Sequence, residues 1–122
     1  MAQFRLTAAA QADIVAILAY THDRFGERAR LRYEKLIAAA LRDIAEDPAR
    51  PGSLDRSELG ANARSWHLRG SRERARNETR SVKHPRHLIL FRIEGDGSLI
   101  IGRILHDAME LERHMPTSSD WR

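Results

Sequence analysis

The sequence predicts an α+β domain: an N-terminal strand, an antiparallel helix hairpin packed on a small twisted antiparallel sheet, and a short C-terminal helix. Three observations predict it. Two long segments carry apolar residues at helical spacing, three short segments after residue 64 carry strand-type residues, and turn-forming residues separate them. The 122 residues suit a single domain over 1–122, large enough to hold a core without staples.

Residues 3–6 alternate polar and apolar and read as a strand. Thr7 is placed to cap a helix that opens at Ala8. Along it Ile14, Ile17, Leu18, Thr21 and Phe25 share one face, and Gly26 suits the left-handed position that ends helices. A second helix over 27–46 carries the stripe Tyr33, Leu36, Ile37, Ala40, Leu41 and Ile44 and stops at Asp47-Pro48. The short link makes the two antiparallel. Residues 48–62 read as a loop with a turn near 56–59, and 65–69 as a strand with Trp66 and Leu68 on one face. Residues 70–86 are charged and closed by Pro85, which predicts a long mobile basic loop. A central strand over 87–94, a turn at Gly95-Asp96-Gly97 and a return strand over 98–105 follow. Residues 110–114 read as a helical turn and 116–122 as a frayed tail. The helices are expected to cover one sheet face and leave the other partly open.

Composition removes several function classes. Without cysteine there is no disulfide framework, thiolate zinc site, iron–sulfur cluster or thiol nucleophile. The longest apolar run, from Ile14 to Tyr20, is far short of the ~20 residues that span a bilayer. No leader is expected, and the expected location is the cytoplasm. The six histidines form no metal-ligand spacing, and no phosphate loop, dinucleotide fingerprint or nucleophile elbow is present. No metal, cofactor, small-molecule substrate or membrane partner is therefore expected.

Charge is unevenly placed. The formal net charge is +4, yet from Arg69 to Arg92 eight basic residues face two acidic ones. Such a cluster favours an acidic macromolecular partner. Arg69, Arg92 and Arg103 fall on three strands expected to be neighbours, and arginine forks grip phosphates or carboxylates in a bidentate manner. Such a patch would serve as an RNA-cleaving site, a nucleic-acid grip or a protein-docking surface. His106, just past a strand end, is a candidate general base or a plain strand-end polar group. Asp107, Glu110 and Glu112 read most simply as an N-cap and dipole-favoured glutamates of the short helix.

Ordered blocks of sequence carry a resemblance. Phe4-Arg5-Leu6-Thr7-Ala8-Ala9-Ala10 leads into Ala12-Asp13-Ile14, Phe25-Gly26 joins the helices, and Asp47-Pro48 closes the second. Val82-Lys83-His84-Pro85-Arg86-His87 precedes the strand Leu88-Ile89-Leu90-Phe91-Arg92-Ile93. Arg103-Ile104-Leu105-His106-Asp107 is followed by Met109-Glu110-Leu111-Glu112-Arg113-His114-Met115. Over residues 3–115 the chain resembles the RelE/ParE superfamily of bacterial type II toxins, most closely the ParE branch.

The resemblance implies the fold above and a ParD-like antitoxin that folds as it wraps the toxin. It implies a target, DNA gyrase, inhibited by docking with no catalytic residues of the toxin's own. The expected target-binding residues are Arg69, Arg72, Arg74, Arg92, Arg103 and His106. The expected antitoxin-binding residues are Ile14, Ile17, Leu18, Phe25, Leu36, Leu105 and Met109. The alternative within the superfamily is a RelE-like ribosome-dependent mRNA endoribonuclease, for which Arg92, Arg103 and His106 would be the catalytic set. Against that, Tyr20 and Tyr33 are the only tyrosines and neither lies near the C-terminus. One departure from compact members is the longer stretch over 70–82.

Overall fold

The structure, a computed structural model, describes residues 2–75, 82–109 and 121. Strand β1 (Phe4–Leu6) leads into helix α1 (Ala8–Phe25), which opens as the sequence predicts. The Thr7 hydroxyl accepts from the Ala10 amide at 3.0 Å and donates to the Gly102 carbonyl at 2.8 Å, so one side chain caps the helix and ties it to the sheet. Gly26 alone separates α1 from α2 (Glu27–Glu46); its φ of +92° is a conformation that side chains resist, and it reverses the chain in one residue.

Five strands form one sheet in the order β1-β5-β4-β3-β2. They include β2 (Leu54–Asp55), β3 (Ala63–His67), β4 (His87–Ile93) and β5 (Leu99–His106). The pairs β2–β3, β3–β4 and β4–β5 are antiparallel, whereas β1 lies parallel to β5 because the helix hairpin carries the chain across between them. Between Leu90 and Phe91 the β4–β5 register shifts: Phe91 faces Ile101 but Leu90 faces Arg103, so Gly102 is the extra residue of a bulge.

The helices bury one face of this sheet. Leu36, Ile37, Ala40 and Ile44 of α2 meet Trp66, Ile89, Phe91, Ile101 and Ile104, all at most 4 % exposed. Each large side chain so buried stabilises the fold by about 1.5–3 kcal/mol. Ile14, Ile17 and Leu18 of α1 pack at the margin of this core and stay half-buried.

Four expectations need correction. The third strand runs from Ala63 to His67, two residues earlier than predicted, and the chain turns off the sheet in a 3-10 helix at Leu68–Ser71, which carries Arg69 with it. The start of the predicted mobile loop is instead that turn followed by α3 (Arg72–Ala75), because the side chains described below pin it to α2. The second sheet face is not open: Leu59, Ala63, Leu90, Ile100 and Trp121 form a second apolar cluster there. Trp121, read as part of a frayed tail, is 4 % exposed, because burying an indole outweighs the entropy of a loose end. The predicted helical turn over 110–114, the tail residues 116–120 and 122, and loop residues 76–81 lie outside the described residues.

Candidate functional site

Strand register gathers polar side chains at one end of the sheet. His87 opens β4 directly opposite His106, which closes β5, and their rings meet edge to face at 5.4 Å. Tyr33 of α2 reaches them from the helical layer: its hydroxyl lies 2.6 Å from His87 Nδ1 and accepts from the Arg86 amide at 3.2 Å. Among the described residues His87 Nδ1 is the one acceptor within reach of the Tyr33 O–H, so the hydroxyl donates to it and the His87 ring is the neutral tautomer protonated at Nε2. The titrations agree. Burial pushes the Tyr33 hydroxyl up to about 12 and His87 down to about 4.

Asp107 ties this end together. It accepts from His67 Nε2 at 2.9 Å and faces Arg86 at 3.3 Å, so one carboxylate links the end of β3 to the approach of β4. The hydrogen bond from His67 is the main cause that holds its carboxyl below the usual range. His106 Nδ1 lies 3.7 Å from the same carboxylate, but that nitrogen accepts from the Ala108 amide at 3.0 Å. Its lone pair is already engaged, so the contact with Asp107 is not a hydrogen bond.

A cleft of about 430 Å³ opens beside these groups, between the helix hairpin and residues 82–87. Tyr20 and Phe25 stand at its rim, 59 % and 67 % exposed, and Arg32, Lys83 and Arg86 supply cations. Among the described residues that line it there is no carboxylate, and Arg32 and Lys83 form no ion pair with a described residue.

A second polar centre lies on the other side of α2. Asp43, 4 % exposed, accepts from Ser71 Oγ at 2.5 Å and Arg74 Nη1 at 2.7 Å, with Arg50 Nη1 3.2 Å away. Ser71 in turn accepts from the Trp66 indole at 2.9 Å, and Arg74 continues to Glu46 through two hydrogen bonds of 2.6 and 2.7 Å. Arg50 lies over the Trp66 ring at 5.5 Å. Gly70 lies so close to this ring that a Cβ there would be 2.4 Å from it. This network explains why α3 is held in place.

The five arginines and one histidine expected to bind a target are not gathered on one face. Arg69 is exposed on the 3-10 turn, off the sheet. Arg72 donates to the Val82 carbonyl at 2.8 Å, and Arg74 is held by Asp43 and Glu46. Arg92 contacts Glu94 at 3.1 Å and lies 5.0 Å from the Trp121 ring centre, with its buried Nε unpaired. Arg103 forms a fork on Asp13 at 2.7 and 3.0 Å, and the same carboxylate accepts from the Ile104 amide at 2.9 Å. Only His106 lines the cleft. Of the apolar residues expected to meet an antitoxin, Leu36 and Leu105 are interior at 1 % and 2 % exposure. Phe25 and Met109 are exposed, while Ile14, Ile17 and Leu18 are half-buried.

Sequence reasoning missed Asp13, Asp43, His67, His87 and Arg32 as participants and read Tyr33 only as core. Asp43 carried a signal, since it falls beside the apolar stripe of α2 where a charge needs a partner. Among the described residues no cluster of three or more His, Cys, Asp or Glu is arranged to hold a metal ion, and no helix is long and apolar enough to cross a membrane.

Comparison with curated proteins gave no match. Comparison with protein families gave one described as the ParE toxin of type II toxin-antitoxin system, parDE, matched over residues 4–111. That span takes in every strand and both long helices, so the chain belongs to the ParE toxin family of type II toxin–antitoxin systems.

Proposed function

We propose that this toxin works in the cytoplasm by docking on DNA gyrase, without a reaction of its own, and that a ParD-like antitoxin neutralises it. The observation that carries this reading is the use of the sheet arginines. Arg92 and Arg103, two of the three groups a ribonuclease mechanism would need, are committed to Glu94 with Trp121 and to Asp13. Guanidinium groups fixed this way build a rigid surface and are not aimed together at one scissile phosphate. Exposed Val15, Tyr20, Phe25 and Leu31 on the helix hairpin give an antitoxin segment apolar surface to cover. Purified toxin is expected to block gyrase supercoiling in vitro, and antitoxin is expected to restore it. Unchanged supercoiling at a molar excess of toxin would refute the reading.

A RelE-like ribonuclease is the second reading, favoured by the approach of His106 to His87 beside Arg86 in the cleft. It predicts translation-dependent mRNA cleavage that disappears in His106→Ala. Intact mRNA on toxin-treated ribosomes removes it.

A further inference from the structure

The cleft beside Tyr33 brings cations and exposed aromatic rings into one concavity. Arg32 and Lys83 face no described carboxylate, and Arg86 shares only Asp107. Arg50, Arg74 and Arg103, by contrast, are each paired with a carboxylate. Arg32 and Lys83, left uncompensated beside a concavity, attract an anion, and together with Arg86, which also serves Asp107, they suit a dianionic phosphate better than a single carboxylate. Tyr20 and Phe25 also line the cleft, exposed aromatic rings of the kind on which a nucleobase stacks, with Arg24 lying 6.0 Å from the Tyr20 ring centre. His87 lines the same cleft, neutral and, with Nδ1 accepting from Tyr33, carrying its proton on Nε2, a donor for a base edge or sugar oxygen.

Size narrows the ligand. A volume of about 430 Å³ falls within the range of small-molecule sites, about 300–1,000 Å³.

We propose that this cleft is a binding site for a phosphorylated nucleoside, with the phosphate held by Arg32, Lys83 and Arg86 and the base stacked on Tyr20 and Phe25. The inference is independent of whether gyrase is the target. The nucleotide is either free in solution or the 5′-phosphorylated end of a single strand, since both present the same group.

The test is titration of the purified full chain with AMP, adenosine, inorganic phosphate and a 5′-phosphorylated adenosine hexaribonucleotide. It is followed by calorimetry and by the side-chain ¹H–¹⁵N signals of His87 and His106. AMP is expected to saturate and move both histidine signals, with adenosine and inorganic phosphate each binding at least about tenfold more weakly. Arg32→Ala and Lys83→Ala are expected to weaken AMP about tenfold each, and Phe25→Ala about fivefold or more. Lys35→Ala, which removes a charge of the same sign elsewhere on α2, is expected to change nothing. All four positions are outside the core, and thermal melts verify that each variant folds. Equal binding of AMP and the hexamer supports a site for a single nucleotide. Binding of the hexamer alone, adenosine as tight as AMP, unmoved histidine signals, or full affinity in Arg32→Ala would each overturn the proposal.

Discussion

The two polar centres on either side of α2 use similar side chains to opposite ends. Around Asp43 every cation is answered: Arg74 by Asp43 and Glu46, Arg50 by Asp43 and the Trp66 ring. Around Tyr33, Arg32 and Lys83 face no described carboxylate and the histidines meet one another. The first centre spends its charges on holding α3 and the 3-10 turn against α2. The second leaves charge available to something else. A count of basic residues over 69–92 cannot separate these roles, because Arg72, Arg74 and Arg92 of that cluster are taken up inside the fold.

Substitutions that break this contrast are ranked by what they leave behind. Gly70→Ala is expected to cost about 3 kcal/mol in chemical denaturation, since its Cβ would displace the Trp66 ring from a packed position. A stability within 0.5 kcal/mol of wild type would show that the ring has room to move. Asp43→Ala is expected to cost about 2–3 kcal/mol, because Ser71 loses its buried acceptor and the Trp66 relay loses its end point. Thermal melts of Asp43→Ala and Ser71→Ala, alone and together, should be non-additive, and strict additivity would dissolve the network.

The Tyr33 centre predicts a smaller, pH-dependent effect. His87 titrates near 4 in the folded chain against an ordinary value near 6.5, so between these values the unfolded chain binds the extra proton. Stability is unaffected by this group above about pH 6.5 and falls as pH drops towards 4. After discounting for partial exposure the loss is on the order of 1–2 kcal/mol. Asp107 has its folded value depressed, so its contribution is present above the unfolded carboxylate value and is lost at more acid pH, as pH falls through the folded one. His87→Gln should flatten the melting-temperature profile between pH 6.5 and 4 and leave the more acid limb in place. A profile unchanged by that substitution would refute the assignment. Smallest of all, Arg32→Ala and Lys83→Ala should each stay within about 0.5 kcal/mol of wild type, as expected of charges with no structural partner. A larger loss would make the cleft a structural centre like its counterpart.

The fold was largely legible because it rests on local rules. The Thr7 cap, the Gly26 reversal, the Asp47 stop and the Gly95-Asp96-Gly97 turn each act on their own neighbours, and their elements stand within a residue of where the sequence placed them. The site was not legible, for a reason that can be traced to one residue. Ile93 pairs with Leu99 across the turn, and an unbroken ladder from there would set His87 opposite Leu105. The bulge at Gly102 advances the register by one, and His87 meets His106 instead. No periodicity announces that shift, and Tyr33, 54 positions away from His87, joins only when α2 docks.

By itself the sequence determined the α+β class, the bounds of both helices, the family and the basic surplus, since composition, spacing and caps need no long-range contact. Tertiary structure decided which arginines are spent and which remain, that Trp121 closes the far sheet face, and where the histidines converge. A charge has the same sign anywhere in a chain, but only the partner that folding places beside it fixes whether that charge braces the protein or is left to bind.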